Sequence, residues 1–466
     1  MEIERKKELL SKIDKHLEKL VNDERSKKDI EIFRKLYEQF LTEPAQINWK
    51  SWSLPPEERY IDSTKLGKIS IAESQELLKK LAVIRLNGGL GTSMGCEGPK
   101  SLINVKNDKT FLEIAIDQIE LLNKCYEAKV PLFLMDSYKT LEETSKALKK
   151  FAYDRMVTVE QFLQSKCPRI YADSLLPVPK SADDELEGFY PPGHGNIFET
   201  LAETGLAEKL LEQGIEVLFV SNIDNTCATV DPRFIKALLN ENREYIMEVT
   251  DKTAQDIKGG SLIEIDGRMM HLEMPQVPEE GIEEFCSTKT FKIFNTNNIW
   301  IDLKAIKGKL YEIKREIIAN KKKLSNGREV IQLETSIGGA IRNFPNACAL
   351  KVPRSRFLPV KRTQDLLLLA SDAFEMDRNG TVKLVDPRTS APIIHLIGAA
   401  YDSWPEFQKR VPHIPSLKDV DTLTIKGDVK FGKDVILKGN VHLEPLTPNE
   451  VLTIDEGVVI ENNVDK

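Results

Sequence analysis

The chain has 466 residues, 41% hydrophobic and 30% charged, with a net charge of −7, a length that fills two or three packed domains of an ordinary soluble globular protein. Acidic and basic residues are interleaved throughout, which excludes the cationic field that holds DNA or RNA, so any small polyphosphate must be met by local devices: backbone amides, a few placed lysines and a metal. The opening MEIERKKELLSK has no long apolar core behind its charges and no later segment offers about 18 uncharged apolar residues, so neither secretion nor membrane spanning is expected and the cytoplasm is the default compartment.

Residues 1 to about 42 carry apolar side chains at helical spacing, Leu10, Ile13, Leu17 and Leu20, then Ile30, Phe33, Leu36 and Phe40. This predicts two amphipathic helices with solvated polar faces in an N-terminal helical segment spanning 1–79. From about residue 80 short β-rich runs, LAVIRL (81–86), VPLFLM (130–135) and IEVLFVS (215–221), alternate with helical stretches such as FLEIAIDQIELLNKCYEA. That alternation predicts a Rossmann-like, doubly wound α/β domain over 80–385, with ligands beyond the carboxyl ends of the strands. In the C-terminal region, 386–466, another period begins at about 421: Leu423/Ile425, Val429/Phe431, Val435/Leu437 and Val441/Leu443 repeat every six residues, and Leu452/Ile454 and Val458/Ile460 resume after an insertion. Gly427, Gly432 and Gly439 fall between the pairs, so the tail is expected to wind as a short parallel β-helix, hairpins of a small sandwich being the alternative. Such a short β-helix needs a packing partner, either the main domain or a second subunit, which makes a homo-oligomer possible. Cys96, Cys125, Cys167, Cys227, Cys286 and Cys348 are scattered without CxxC pairing, as expected of reduced thiols rather than disulfides or a zinc site.

The strand ending at Leu86 runs into LNGGLGTSMGCEGPKS (86–101) and then a helix-like run. Glycines let backbone amides approach phosphate oxygens, and the following helix N-terminus adds positive potential. Two familiar patterns fail, however. Gly89, Gly91 and Gly95 do not have the G-x-G-x-x-G spacing, and Pro99 stands where a Walker A loop needs glycine. By itself the loop reads equally as a nucleotide site or as a turn that merely packs. Asp224, in VSNIDN, ends an apolar strand where a Mg²⁺ bridging phosphates fits; a helix-cap role is weaker because Asp231 fills it better. PPGHG alone reads equally as a turn.

The loop resembles the nucleotide-binding loop of eukaryotic-type UDP-glucose pyrophosphorylases. Similar segments follow in order: YPPGHGN (190–196), VSNIDN (220–225), MEVTDKT (247–253), KGG (258–260), FKIFNTNNIW (291–300), IQLETSIGGAI (331–341) and VPRSRFLPVKRTQDLLLL (352–369). The resemblance covers roughly residues 80 to 460. Thr92-Ser93-Met94 contains no arginine, unlike the LxGGxGTRLG loop of the UDP-N-acetylhexosamine enzymes and the GxGTR loop of bacterial glucose enzymes. The resemblance implies a nucleotidyltransferase that takes UTP and glucose 1-phosphate as substrates and Mg²⁺ as cofactor, with no nucleic acid and no membrane as partner. A broad-specificity sugar 1-phosphate uridylyltransferase is the second reading, and a non-catalytic sugar-nucleotide sensor on the same fold is the third.

It further implies that Leu86, Asn87, Gly88, Gly89, Lys100, Gln164, Gly193, Asp224 and Lys361 meet the nucleotide. The sugar phosphate falls to Gly88, Gly89, His194, Asn222, Ile223, Asp224, Glu273, Asn295 and Asn297, with Glu334 at the margin. Lys100 and Lys361 are the catalytic residues implied; Asp224 is the metal residue, with Lys100 in its vicinity. The chemistry suits these residue types. A sugar phosphate loses its second proton near pH ~6 and is already a nucleophile at pH 7, so no general base is needed and catalysis rests on positioning and charge neutralisation. The six histidines show no constellation for a proton shuttle. A glutamine amide offers the donor and the acceptor that uracil's edge requires and cytosine's does not. Four positions depart from the family pattern: Asn196 where PPGHGD is common, Phe189 for Trp, Asp136 for Asn, and Thr226-Cys227 for Leu-Gly. Asn196 removes a carboxylate near the site, which leaves the role of that position open.

Overall fold

The computed structural model describes residues 3–151, 156–184, 187–253, 256–378, 380–385 and 387–462. Its centre is an eight-stranded sheet made of β1 (Tyr60–Asp62), β2 (Leu81–Asn87), β3 (Leu132–Asp136), β4 (Val159–Leu163), β5 (Val217–Asn222), β6 (Tyr245–Asp251), β7 (Ile293–Asp302) and β8 (Cys348–Lys351). Their order across the sheet is β1-β8-β6-β7-β5-β2-β3-β4. Side chains alternate between two buried faces. Leu81 and Val83 of β2 enter one hydrophobic cluster, Ala82, Ile84 and Leu86 the other. A strand covered on both faces reads as a continuous apolar run, which is why LAVIRL stood out.

Neighbouring strands run parallel except at β7, which is antiparallel to both β5 and β6. The sheet is therefore mixed. The chain does not cross over after β6. The segment between β6 and β7, with the hairpin Ser261–Ile265/Arg268–Leu272 and the short helix Ile282–Cys286, stays at the ligand edge, and Asp251 pairs with Ile293. The start of β7 thus lies beside the carboxyl ends of β5 and β6. Asn222, at the end of β5, accepts a hydrogen bond from Asn297 Nδ2 at 2.8 Å.

The N-terminal helices, Ile3–Leu17 and Glu24–Thr42, bury their apolar faces away from this sheet. Ile13, Phe33, Leu36 and Tyr37 bury against Cys167, Ile170, Phe189 and Leu333, on a small sheet of Ile170–Tyr171, Ile317–Lys323 and Glu329–Thr335. The 1–79 segment is not wholly helical either, since Tyr60–Asp62 supplies an edge strand of the central sheet.

The strands Ile393–Ile397, Ser416–Lys426, Ile436–Leu443 and Val459–Glu461 form a parallel ladder, and Asp428–Phe431 pairs in parallel with Val451–Ile454. Leu423 lies opposite Val441 and Ile425 opposite Leu443, and all four are buried. Gly427, between two strands, and Gly439, paired with Val420 where the register shifts, take φ of +83° and +65°, a conformation costly for residues with a Cβ. This region shares one hydrophobic cluster with the central sheet and is tied to it by Thr363 Oγ1, which donates to Tyr401 O at 2.5 Å. The boundary expected at 386 falls on a residue outside the described set.

Candidate active site

β2 delivers Leu86 and Asn87 to the ligand edge, and the loop after them folds back on itself. Lys100 N donates to Gly89 O at 3.2 Å and Cys96 N to Gly91 O at 3.1 Å, so Lys100 returns beside the two glycines. Asn87 is oriented by the buried Asp136 of β3, whose Oδ1 accepts from Asn87 Nδ2 at 2.6 Å. Ser137 Oγ donates to Gly88 O at 2.8 Å. A Cβ on Gly88 would occupy the position of Gln164 Nε2, so glycine is required for the Gln164 side chain to lie across the loop. Gln164 is buried, and its Oε1 has no hydrogen-bond partner among the described residues. A buried acceptor left open in this way costs free energy unless something fills it.

Just beyond β5, Asp224 sits with Oδ2 at 2.5 Å from Lys100 Nζ while its buried Oδ1 has no partner among the described residues. Ile223 N donates to Leu86 O at 3.3 Å, which joins this turn to β2. Asp231 caps the helix Pro232–Asn240, accepting from Arg233 N, so capping does not occupy Asp224. No cluster of three or more His, Cys, Asp or Glu side chains suited to a metal occurs among the described residues. A single carboxylate with one open oxygen fits Mg²⁺, which completes its shell with phosphate oxygens and water.

Asn222, Asp224, Glu273, Asn295, Asn297, His194 and Lys361 line one cleft of about 400 Å³. Asn297 adopts φ of +60° and donates its N–H to the Asn295 carboxamide oxygen at 2.7 Å, while its own amide reaches Asn222. His194 Nδ1 accepts the Ile337 N–H at 3.0 Å, so the neutral ring carries its proton on Nε2. Gly193, at φ +85°, lies so close to Thr335 O that no side chain fits.

Lys361 is held by its surroundings. Arg356 Nε and Nη2 grip the buried Glu248 of β6 at 2.9 and 2.8 Å, Asn225 Oδ1 accepts Leu358 N at 3.0 Å, and Asp365 Oδ2 accepts the backbone N–H groups of Lys361 and Arg362, both at 2.8 Å. These contacts strap residues 356–362 across the end of β6, with Lys361 in the cleft.

Asn196 is not in the cleft; it is buried behind Gln164, where its Oδ1 accepts Ser165 N at 2.7 Å. Glu334 pairs with Asn320 Nδ2 at 3.1 Å on the small sheet. The histidines, scattered in sequence, do meet: His271 shares the cleft with His194. Burial, with His271 nearby, pushes the His194 pKa down to about 4, and burial lowers that of His271 against the opposing pull of Glu273. His194 is thus neutral at pH 7 and not tuned for a proton shuttle. His271, Gly260 and Ser336 were missed as lining residues. The signal available was the i,i+2 spacing of His271 and Glu273 at the end of a strand, and the KGG segment.

The family model described as UTP–glucose-1-phosphate uridylyltransferase matches residues 30–438. The chain belongs to the UTP–glucose-1-phosphate uridylyltransferase family. Among its relatives in this family, the UTP–glucose-1-phosphate uridylyltransferase of Saccharomyces cerevisiae is 44% identical over 443 residues, covering 94% of this chain and 88% of the relative. The fold agrees with the UDP-glucose phosphorylase of Trypanosoma brucei at a TM-score of 0.85 and 35% identity, over 96% of this chain and 98% of that one. It also agrees with a variant of the Leishmania major UDP-glucose pyrophosphorylase in complex with UDP-glucose, at a TM-score of 0.84 and 32% identity, over 94% and 95% of the two chains.

Proposed function

We propose that the chain performs the family reaction, transferring UMP from UTP to glucose 1-phosphate to give UDP-glucose and pyrophosphate, reversibly, by in-line attack at the α-phosphorus. The observation that carries this reading is the Lys100–Asp224 pair, with one Asp224 oxygen open, set against the Gly88-Gly89 turn and facing the cleft of Lys361. Leu86, Asn87, Gly88 and Gly89 cradle the nucleotide, and Gly193 brings backbone to the uridine. Gln164 reads uracil: its open Oε1 accepts N3–H and its Nε2 donates to O4. Lys100 would exchange its Asp224 partner for nucleotide phosphates, leaving Asp224 to hold Mg²⁺. Bound there, the ion would supply charge neutralisation to the phosphates.

On the sugar side, Asn222, Glu273, Asn295 and Asn297 meet hydroxyls, the Ile223 turn lies beneath them, and neutral His194 offers its Nε2 proton to the sugar phosphate. Lys361 offsets the charge that accumulates as two polyanions approach the α-phosphorus. The decisive test is pyrophosphate release, followed with Mg²⁺ across UTP, other nucleoside triphosphates and a panel of sugar 1-phosphates. Release from UTP with glucose 1-phosphate well above all other pairs is expected; no release from that pair would sink the reading, and equal release with galactose 1-phosphate would widen it.

The same reading divides the chain into an N-terminal segment (1–79), a catalytic domain (80–385) and a C-terminal region (386–466). The parallel ladders and the positive-φ Gly427 between strands of the last support a short β-helix. Leu446, Val451 and Val459 are exposed apolar side chains on it, which favours homo-oligomer contact there. No helix among the described residues is long and apolar enough to cross a membrane. The six cysteines are free thiols, which supports a reducing, cytoplasmic setting.

A further inference from the structure

The polar face of the second N-terminal helix is not simply solvated. Arg25, in its first turn, reaches the end of β4, where its Nη2 donates to Leu163 O at 2.8 Å and to Gln164 O at 2.9 Å. The other backbone groups around Gln164 are held as well. Gln164 N donates to Asp136 O at 2.8 Å, and Ser165 N donates to Asn196 Oδ1 at 2.7 Å. The Asn196 amide has one usable orientation, because its Nδ2 faces Glu199 Oε2 at 3.4 Å, and Glu199 is in turn paired with Arg315. An aspartate at 196 would still accept the Ser165 N–H but would set a second carboxylate against Glu199.

We infer that Arg25 and Asn196 are positioning residues for base selectivity: from two remote segments they immobilise the Gln164 peptide, which fixes the point from which its carboxamide reaches the base. The inference rests on the reading of Gln164 as the uracil contact. A carboxamide reads a base edge only at hydrogen-bond distance from it, and a backbone that shifts moves the amide out of that range. Discrimination therefore requires a side chain that starts from a fixed point, for which Gly88 leaves room beside the loop. The N-terminal helix gains a role in specificity while touching no substrate.

The test compares Arg25→Ala, Arg25→Lys, Asn196→Ala and Gln164→Ala with the parent chain, measuring kcat and KM for UTP and CTP alongside thermal melting. Arg25→Ala and Asn196→Ala are each expected to raise the KM for UTP ~5-fold and to reduce the UTP/CTP preference in kcat/KM ~10-fold, with kcat for UTP within ~2-fold, the scale of one lost readout hydrogen bond. Arg25→Lys should regain part of the preference, because an ammonium can still donate to the two carbonyls. Should Arg25→Ala not fold, Arg25→Lys and Asn196→Ala carry the comparison. Folded variants that keep the parental UTP/CTP ratio while Gln164→Ala loses it would overturn the positioning role alone. A Gln164→Ala variant that keeps the ratio would overturn both this inference and the assignment of Gln164 as base reader. A fall in kcat with an unchanged ratio would mark Arg25 and Asn196 as merely structural and also overturns the inference.

Discussion

Lys361 and Asp136 show how differently two charged side chains contribute. Lys361 lines the cleft, and if its task is to offset charge built up in the transition state, Lys361→Ala should lower kcat ~10²–10³-fold while weakening UTP binding only modestly. Arginine should rescue little, because a planar fork differs in shape from a compact ammonium. Single-turnover rates and calorimetric UTP affinity decide it: a variant that loses affinity tenfold and keeps kcat makes the lysine a ground-state anchor. Asp136 acts through Asn87 and carries a pH signature. Burial pushes its pKa up to about 6 against hydrogen bonds from Gln161, Asn87 and Thr140. An unfolded aspartate titrates near ~4, so between about pH 4 and 6 the folded protein holds a proton that the unfolded chain has released. This group's contribution is most favourable below about pH 4 and is lost as pH rises to about 6. Asp136→Asn should therefore gain stability relative to the parent by on the order of 1–3 kcal/mol between pH 4 and 7, read from denaturant midpoints at each pH. A constant difference across that range would show that the carboxyl is not perturbed.

Among the elements, the strap carrying Lys361 is the most exposed to failure. Glu248 is fully buried and satisfied by Arg356, Asn298 and Trp300. Arg356→Ala leaves that carboxylate without its cation, a change that costs about 3–5 kcal/mol when a buried pair is broken on one side. Restoring neutrality with Arg356→Met and Glu248→Gln together should recover most of the melting temperature, yet not kcat, since the grip on residues 356–362 is gone. Recovery of both would show that the strap does not position Lys361. Strands at this scale were legible because both faces of the sheet are buried and the apolar runs are continuous. The direction of β7 was not: FKIFNTNNIW has the same composition whichever way it runs, and only the pairing of Asp251 with Ile293 reverses it. The six-residue spacing of the tail was legible because its first four inward pairs, Leu423/Ile425 to Val441/Leu443, are buried.

For the whole molecule, the motifs assigned to substrate were readable as contiguous words, whereas the contacts that hold them were not. Arg25 meets Gln164 across 139 residues, and His194 meets His271 through elements that no local spacing connects. The loops beyond β2, β4 and β5 and the start of β7 all open on one edge of the sheet, and the opposite edge holds none of the residues assigned to substrate. There Val217 begins β5 beside Asp302, the end of β7. The turns nearby, at Gly214 and Gly308, have φ of +84° and +75° and open space where a side chain would be. A flexible insert of about 15 residues closing at either turn adds only a small loop entropy. Such an insert at Gly214 or Gly308 should leave kcat/KM within ~2-fold, while the same insert between Gly89 and Pro99 should abolish turnover, measured by pyrophosphate release. The enzyme can therefore be tethered to a surface or fused to a second catalyst by its back, with its mouth left open to substrate.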